Sequence, residues 1–190
     1  NQPILRDPEP LVPADVYISE STYGNRLHPA FTEMDEDLGA AVRRLASRGK
    51  GRLLIPAFAV GRTQNILYAL GKLYRDGRCP ALDIAVDSPL ATAATRIVVE
   101  HPECYDQEAL ADLQRLQNDP CFRPHLRFTE SKDESIALNE DPRPTIVISA
   151  SGMMENGRIL HHLAHWIGSE DAEILIVGFQ AGYTLGRKLM

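Results

Sequence analysis

The sequence predicts an α/β fold: a doubly wound, mostly parallel sheet of about six strands with helices on both faces. Short Val-, Ile- and Leu-rich runs alternate along the chain with longer segments whose apolar residues recur at helical spacing. The strand candidates are continuous apolar runs, as expected for strands buried on both faces. Right-handed crossovers then wind the chain both ways across the sheet. A length of 190 residues with 44% apolar content suits one domain with a substantial core.

Residues 1–14, rich in Pro, read as a lead-in from a preceding segment, and residues 15–190 as the domain proper. Asp15–Ser19 (DVYIS) is β-branched and runs into a polar Glu-Ser-Thr-Tyr-Gly loop, the pattern of a buried first strand. Met34, Leu38, Ala41, Val42 and Leu45 fall on one helical face, with Gly49 as the stop. Arg52–Ile55 forms the next strand, and Ile66, Leu67, Leu70, Leu73 and Tyr74 line a second amphipathic helix that ends near Gly77. Strand Leu82–Val86 follows, then a helix over about Leu90–Val99, with Asp87 or Ser88 as its cap and Pro89 in its first turn.

The region His101–Pro144 is less regular: a helix over Glu108–Leu116, a strand Leu126–Phe128, and a helix begun by the capping box Ser131-x-x-Glu134. Strand Thr145–Ser149, helix Arg158–Ile167, strand Ile174–Val177 and a helix starting near Thr184 complete the alternation. That last helix has hardly begun at Met190, so a domain excised from a longer chain is expected.

Several classes of protein are disfavoured. No apolar run approaches the roughly 20 residues that span a bilayer, and the N-terminus has no signal-peptide core, so a soluble protein without a membrane partner is expected. Cys79, Cys104 and Cys121 are odd in number and widely spaced, which favours a reducing, cytoplasmic setting. The net charge of −6 lies in His101–Pro142, which holds ten acids against four bases, while Leu38–Arg75 holds eight bases and no acid. A local basic stretch can meet phosphates despite an acidic whole, although charge runs are commonly solvated helix faces.

Function in an open parallel sheet gathers at the carboxyl ends of the strands. The loops there combine small residues with hydroxyl, carboxylate or guanidinium groups, and helix starts add amide donors for anions. No Walker A or GxGxxG sequence occurs, which disfavours a Rossmann-like domain for a nucleotide cofactor. Arg62, at a helix start, suits either a phosphate or a salt bridge. Ser149 and Ser151 suit phosphate oxygens or local turn capping, and Tyr23 suits base stacking or packing under its loop. Asp87 reads as a helix cap. His161 and His165 have the i, i+4 spacing of helical zinc sites, but no Glu lies between them, so these and His162 read as structural or surface residues.

The segments ISESTYGNRLH (Ile18–His28), IPAFAVGRTQ (Ile55–Gln64), DSPLA (Asp87–Ala91), ISASGMMENGRILHHL (Ile148–Leu163) and VGFQAGYTLGRKL (Val177–Leu189) resemble, in order, the β-CASP domain of the metallo-β-lactamase-fold RNA nucleases, the group that includes RNase J. The bacterial or archaeal exonuclease-like branch is the nearest resemblance. It implies a cassette that helps form the cleft for single-stranded RNA together with its own metallo-β-lactamase domain. It also implies two zinc ions, held by His-x-His-x-Asp-His and other ligands in that other domain. No such motif occurs among His28, His101, His125, His161, His162 and His165, so no zinc is expected in these residues and the isolated piece is expected to be inactive.

By the same resemblance the family's strand-end carboxylate maps to Glu20, which would hold a catalytic imidazole in its working tautomer. Read without the resemblance, Glu20 is an N-cap or salt-bridge carboxylate. Arg62, Ser149, Ser151 and Tyr23 are the substrate-binding candidates. A non-catalytic RNA-binding or scaffolding domain is the alternative, and homo-oligomerisation is left open. On this reading the acidic stretch is a peripheral insertion turned away from the cleft.

Overall fold

The computed structural model describes residues 3–25, 27, 31–116 and 119–190, with side chains left aside at 31, 32 and 113–116. His28, at the end of the first motif, lies outside the described residues. Five strands form one sheet: β1 (Arg52–Pro56), β2 (Asp83–Val86), β3 (Leu126–Phe128), β4 (Thr145–Ser149) and β5 (Ala172–Ile174). Their order is β3-β2-β4-β1-β5, and every pairing is parallel. The helices are α1 (Phe31–Arg48), α2 (Arg62–Arg75), α3 (Pro89–Glu100), α4 (Gln107–Leu116), α5 (Lys132–Glu140), α6 (Ile159–Trp166) and α7 (Leu185–Leu189).

The central strands carry apolar side chains on both faces, which is why their sequences do not alternate. Leu53, Ile55, Ile84, Val86, Ile146 and Ile148 point to one core, where Leu38, Val42 and Leu45 of α1 and Ile66, Leu67, Leu70 and Leu73 of α2 cover them. Leu54, Ala85 and Val147 point the other way, under Leu138 of α5 and Ile159 and Leu163 of α6. Each buried Leu or Ile contributes about 1.5–3 kcal/mol. The connections from β1 to β2 and from β2 to β3 run in one direction across the sheet, and those from β3 to β4 and from β4 to β5 run back on the opposite face. The fold is doubly wound, as the alternation predicts.

One expected strand is absent from the sheet. Asp15–Ser19 is coil, with Val16 75% and Ile18 95% exposed. Its apolar residues meet no sheet edge among the described residues, so the β-branched pattern finds no ladder to join. The N-terminal arm docks before it: Leu5 bridges Tyr105, and Ile4 is buried with Tyr68, Tyr105 and Ala109. β5 is shorter and earlier than Ile174–Val177, although Leu175 N still donates to Leu54 O at 2.9 Å. No helix among the described residues is long and apolar enough to cross a membrane.

The amino edge of the sheet is closed by a buried cation. Arg52, fully buried at the start of β1, donates to the carbonyls of Gly51, Leu138, Asp141 and Arg143. Its guanidinium also lies 4.9 Å from the Trp166 ring centroid. The Leu138 and Asp141 carbonyls belong to the last turn of α5 and the residue beyond it, whose oxygens have no intrahelical partners. A lysine ammonium lacks the planar fork that reaches all of them. Arg52→Lys is expected to destabilise the domain by about 2 kcal/mol, read as a lower urea midpoint at unchanged m-value.

Candidate functional site

The loops after β2, β3 and β4 meet at the carboxyl edge, where a single carboxylate ties them together. Asp87 follows β2 with its side chain fully buried. Its Oδ1 accepts from Thr129 Oγ1 and, at 2.7 Å, from Arg158; its Oδ2 accepts from Ser135 Oγ at 2.5 Å and from His162 Nε2 at 2.7 Å. Burial pushes this carboxyl up, but the hydrogen bonds from His162, Ser135, Thr129 and Arg158 outweigh it and hold it well below the usual carboxylate range. The helix cap is Ser88 rather than Asp87: Ser88 Oγ accepts from Ala91 N at 3.2 Å.

The network continues inward. His162 Nδ1 lies 2.8 Å from Asn139 Oδ1, and the Trp166 indole N–H donates to the same oxygen at 3.0 Å. His162 is therefore structural, while His161 and His165 are exposed on α6. Position 162 shares the apolar face of α6 with Ile159, Leu163 and Trp166, and that periodicity is the sequence signal for its burial. Arg158 has no comparable signal, because only the fold brings β2 beneath it.

The loop after β4 closes tightly against its neighbours. Ser151 Oγ accepts from Glu155 N at 3.2 Å and Asn156 N at 3.4 Å. A Cβ at Gly157 would sit 2.2 Å from Ala150 O, and one at Gly152 would sit 2.9 Å from the Phe58 ring, so both close approaches require glycine. Gln180 Nε2 donates to Gly152 O at 2.9 Å and Gly186 N to Met153 O at 3.1 Å, which brings the Val177–Leu189 motif to the same edge.

The expected site residues divide between this edge and a neighbouring cavity. Ser149, expected to meet substrate, is turned inward: its hydroxyl is buried and donates to Asp87 O at 2.8 Å. Ser151 is half-buried in the loop beyond it. Glu20 is exposed and accepts from Thr22 N at 2.8 Å. Tyr23 packs edge-to-face on Phe179, with ring centroids 6.1 Å apart. Tyr23 and Arg62 line one cavity of about 590 Å³.

Part of the acidic stretch borders that cavity. Asp106 and Glu108 face it, joining Glu33, Asp35 and Asp37 of α1 against the bases Arg62 and Lys72. Burial pushes the Asp35 carboxyl up despite Lys72 and Arg78. The acids of α4 are drawn in by ion pairs to α2, Lys72–Glu108 at 2.6 Å and Arg75–Asp112 at 3.0 Å.

The same ion pairs sort the basic run. Arg43 pairs with Glu36, Arg44 and Arg48 with Glu173, and Lys50 with Asp171, while Arg52 is buried among carbonyls. Arg62 alone of that run has no hydrogen-bond or ion-pair partner for its side chain among the described residues, and it stands where the β1 loop enters α2. No three His, Cys, Asp or Glu side chains come together to hold a metal ion among the described residues. These residues therefore do not fit a zinc site.

Removing the Asp87 carboxylate leaves Arg158 and His162 without their acceptor. Asp87→Ala is expected to cost about 3–5 kcal/mol in urea unfolding. Because the folded carboxyl titrates below its unfolded value, its stabilisation is complete above about pH 4 and is lost as pH falls further. Unfolding free energy should therefore fall between pH 5 and pH 3 (~1 kcal/mol or more), and fall less in Asp87→Ala.

The chain was compared with known proteins. It is 36% identical over 187 residues to ribonuclease TTHA0252 of Thermus thermophilus, covering 96% of this chain and 42% of that protein. It is 31% identical over 179 residues to an RNase J-like protein of Methanocaldococcus jannaschii (92% and 39% covered). It is 29% identical over 181 residues to the transcription termination factor FttA of Methanosarcina mazei (92% and 28%). The chain thus spans less than half the length of these relatives. The Beta-Casp domain model matches residues 63–189, a span that starts within α2 and takes in the Asp87 network and the loops after β2 and β4. With most of its length inside that match, the chain belongs to the Beta-Casp domain family.

Proposed function

We propose that this domain forms one wall of a cleft for single-stranded RNA in a longer zinc-dependent nuclease, facing that protein's metallo-β-lactamase domain. The observation that carries the reading is the carboxyl edge itself: motif loops from three strands converge there, and Arg62 stands beside them with no ion-pair partner among the described residues. Relatives named as a ribonuclease and an RNase J-like protein support a phosphodiester substrate.

Within that reading Arg62 meets a phosphate as a fixed positive charge, and the Ser151 loop lies along the backbone path. Ser149 acts from behind, holding the end of β4 to the residue after β2. Tyr23 borders the path from its packed position on Phe179. The exposed segment 15–20 is the strand its sequence describes, paired with a sheet outside this chain. Such pairing covers Val16 and Ile18 and sets Glu20 at a strand end. There the carboxylate accepts a hydrogen bond from a catalytic imidazole and fixes its tautomer. Any zinc is held by residues beyond those described here.

Two measurements test the reading. In the longer protein, Glu20→Gln should lower kcat for single-stranded RNA cleavage by about 100-fold or more with little change in KM. Turnover near that of the unaltered enzyme would remove Glu20 from the chemistry. The purified 190-residue chain should bind such RNA more weakly as salt rises, without cleaving it. EDTA-sensitive cleavage by the chain alone would overturn the placement of the metal ligands elsewhere.

A further inference from the structure

Tyr183 stands out in two independent ways. It is 98% exposed, the most exposed large hydrophobic side chain among the described residues. Its backbone also sits at φ 72°, the left-handed region that a bulky side chain occupies only at a cost. The surroundings over-determine that conformation: Thr184 Oγ1 donates to Ala181 O at 2.7 Å and accepts from Arg187 N at 3.2 Å, and Leu185 N donates to Glu155 Oε1 at 2.6 Å. A strained residue held by its neighbours, with its ring in water, gains nothing for the fold. Strain of this kind is typically kept where a side chain must be presented.

The position defines what it presents to. Tyr183 lies on the loop that Gln180 and Gly186 fasten to Gly152 and Met153, and Phe58, itself 48% exposed, packs over Gly152. Two exposed aromatic side chains therefore belong to segments fastened to the Gly152–Met153 turn at the carboxyl edge. Ile174–Met190 contains Arg187 and Lys188 and no acid, and both cations are exposed. Aromatic rings set among unneutralised cations suit unpaired nucleobases on a phosphate backbone, whereas a protein partner would call for a continuous apolar patch.

We propose that Tyr183 is a base-stacking platform for single-stranded RNA, seconded by Phe58, with Arg187 and Lys188 meeting the adjoining phosphates. The proposal rests on the RNA reading above and specifies where bases, rather than phosphates, are held. Stacking needs the ring and not the hydroxyl, and glycine relieves the backbone strain, so binding and stability should move in opposite directions.

The test uses fluorescence anisotropy on this chain with labelled oligo(A) and an abasic ribose-phosphate oligomer of equal length. Tyr183→Gly should weaken oligo(A) binding by about 10-fold or more, leave the abasic oligomer within about two-fold, and raise Tm by about 2–4 °C. Tyr183→Phe should bind oligo(A) like the parent chain. Oligo(A) affinity unchanged in Tyr183→Gly would overturn the stacking role and leave the ring to protein packing. Equal losses for both oligomers would overturn it in favour of a purely electrostatic effect. If the parent chain binds neither oligomer, the RNA reading falls, and this proposal with it.

Discussion

An ionised carboxylate with no exposure is tolerable only where donors replace its lost hydration. Asp87 meets that condition with donors from four other places in the chain: Thr129 after β3, Ser135 in α5, Arg158 ahead of α6, and His162 within it. Those contacts do more than compensate a charge. α5 and α6 carry the chain back across the second face, so tying both to the end of β2 fixes that layer against the carboxyl edge. The loop after β4 inherits its position from the same place, through Ser149 and through Asp87 N, which donates to Ile148 O at 2.8 Å.

Around this hub the charges are largely spent on the fold. The C-terminal half of α1 and the whole of α2 are basic by sequence, yet their cations other than Arg62 are taken up by Glu36, Glu108, Asp112 and Glu173. The helical flank offers little net field to a polyanion. Among the described residues of these two helices, the cation left without an ion pair is Arg62, where the loop after β1 enters α2. Charge in this domain therefore speaks to function only after the internal pairs have been subtracted.

The layers were legible because burial on both faces leaves its mark on composition: Arg52–Ile55, Leu82–Val86 and Thr145–Ser149 read as strands without their neighbours being known. Helix faces and the Ser131–Glu134 capping box were legible for the same local reason. Asp15–Ser19 has the same composition but meets no strand among the described residues, which composition cannot register. The site was less legible. Ser88 and Asp87 are adjacent and chemically equivalent as caps, and what separates them is the depth of the strand end. Whether Ser149 faces ligand or core depends on a carbonyl 62 positions away. Tyr183 gives no signal in composition, because its meaning lies in a backbone angle.

The hub does not end at His162. Through Asn139 it reaches Trp166, and across the indole it reaches Arg52, so one polar chain runs beneath the second face from the carboxyl edge to the amino edge. Trp166 is the only tryptophan in the sequence. Its emission therefore comes from one place, hydrogen-bonded on one side and lying against a guanidinium on the other. The protein carries an intrinsic optical gauge of its own scaffold: a red shift or a change in quenching registers any loosening between the two edges, with no label attached and no background from a second indole.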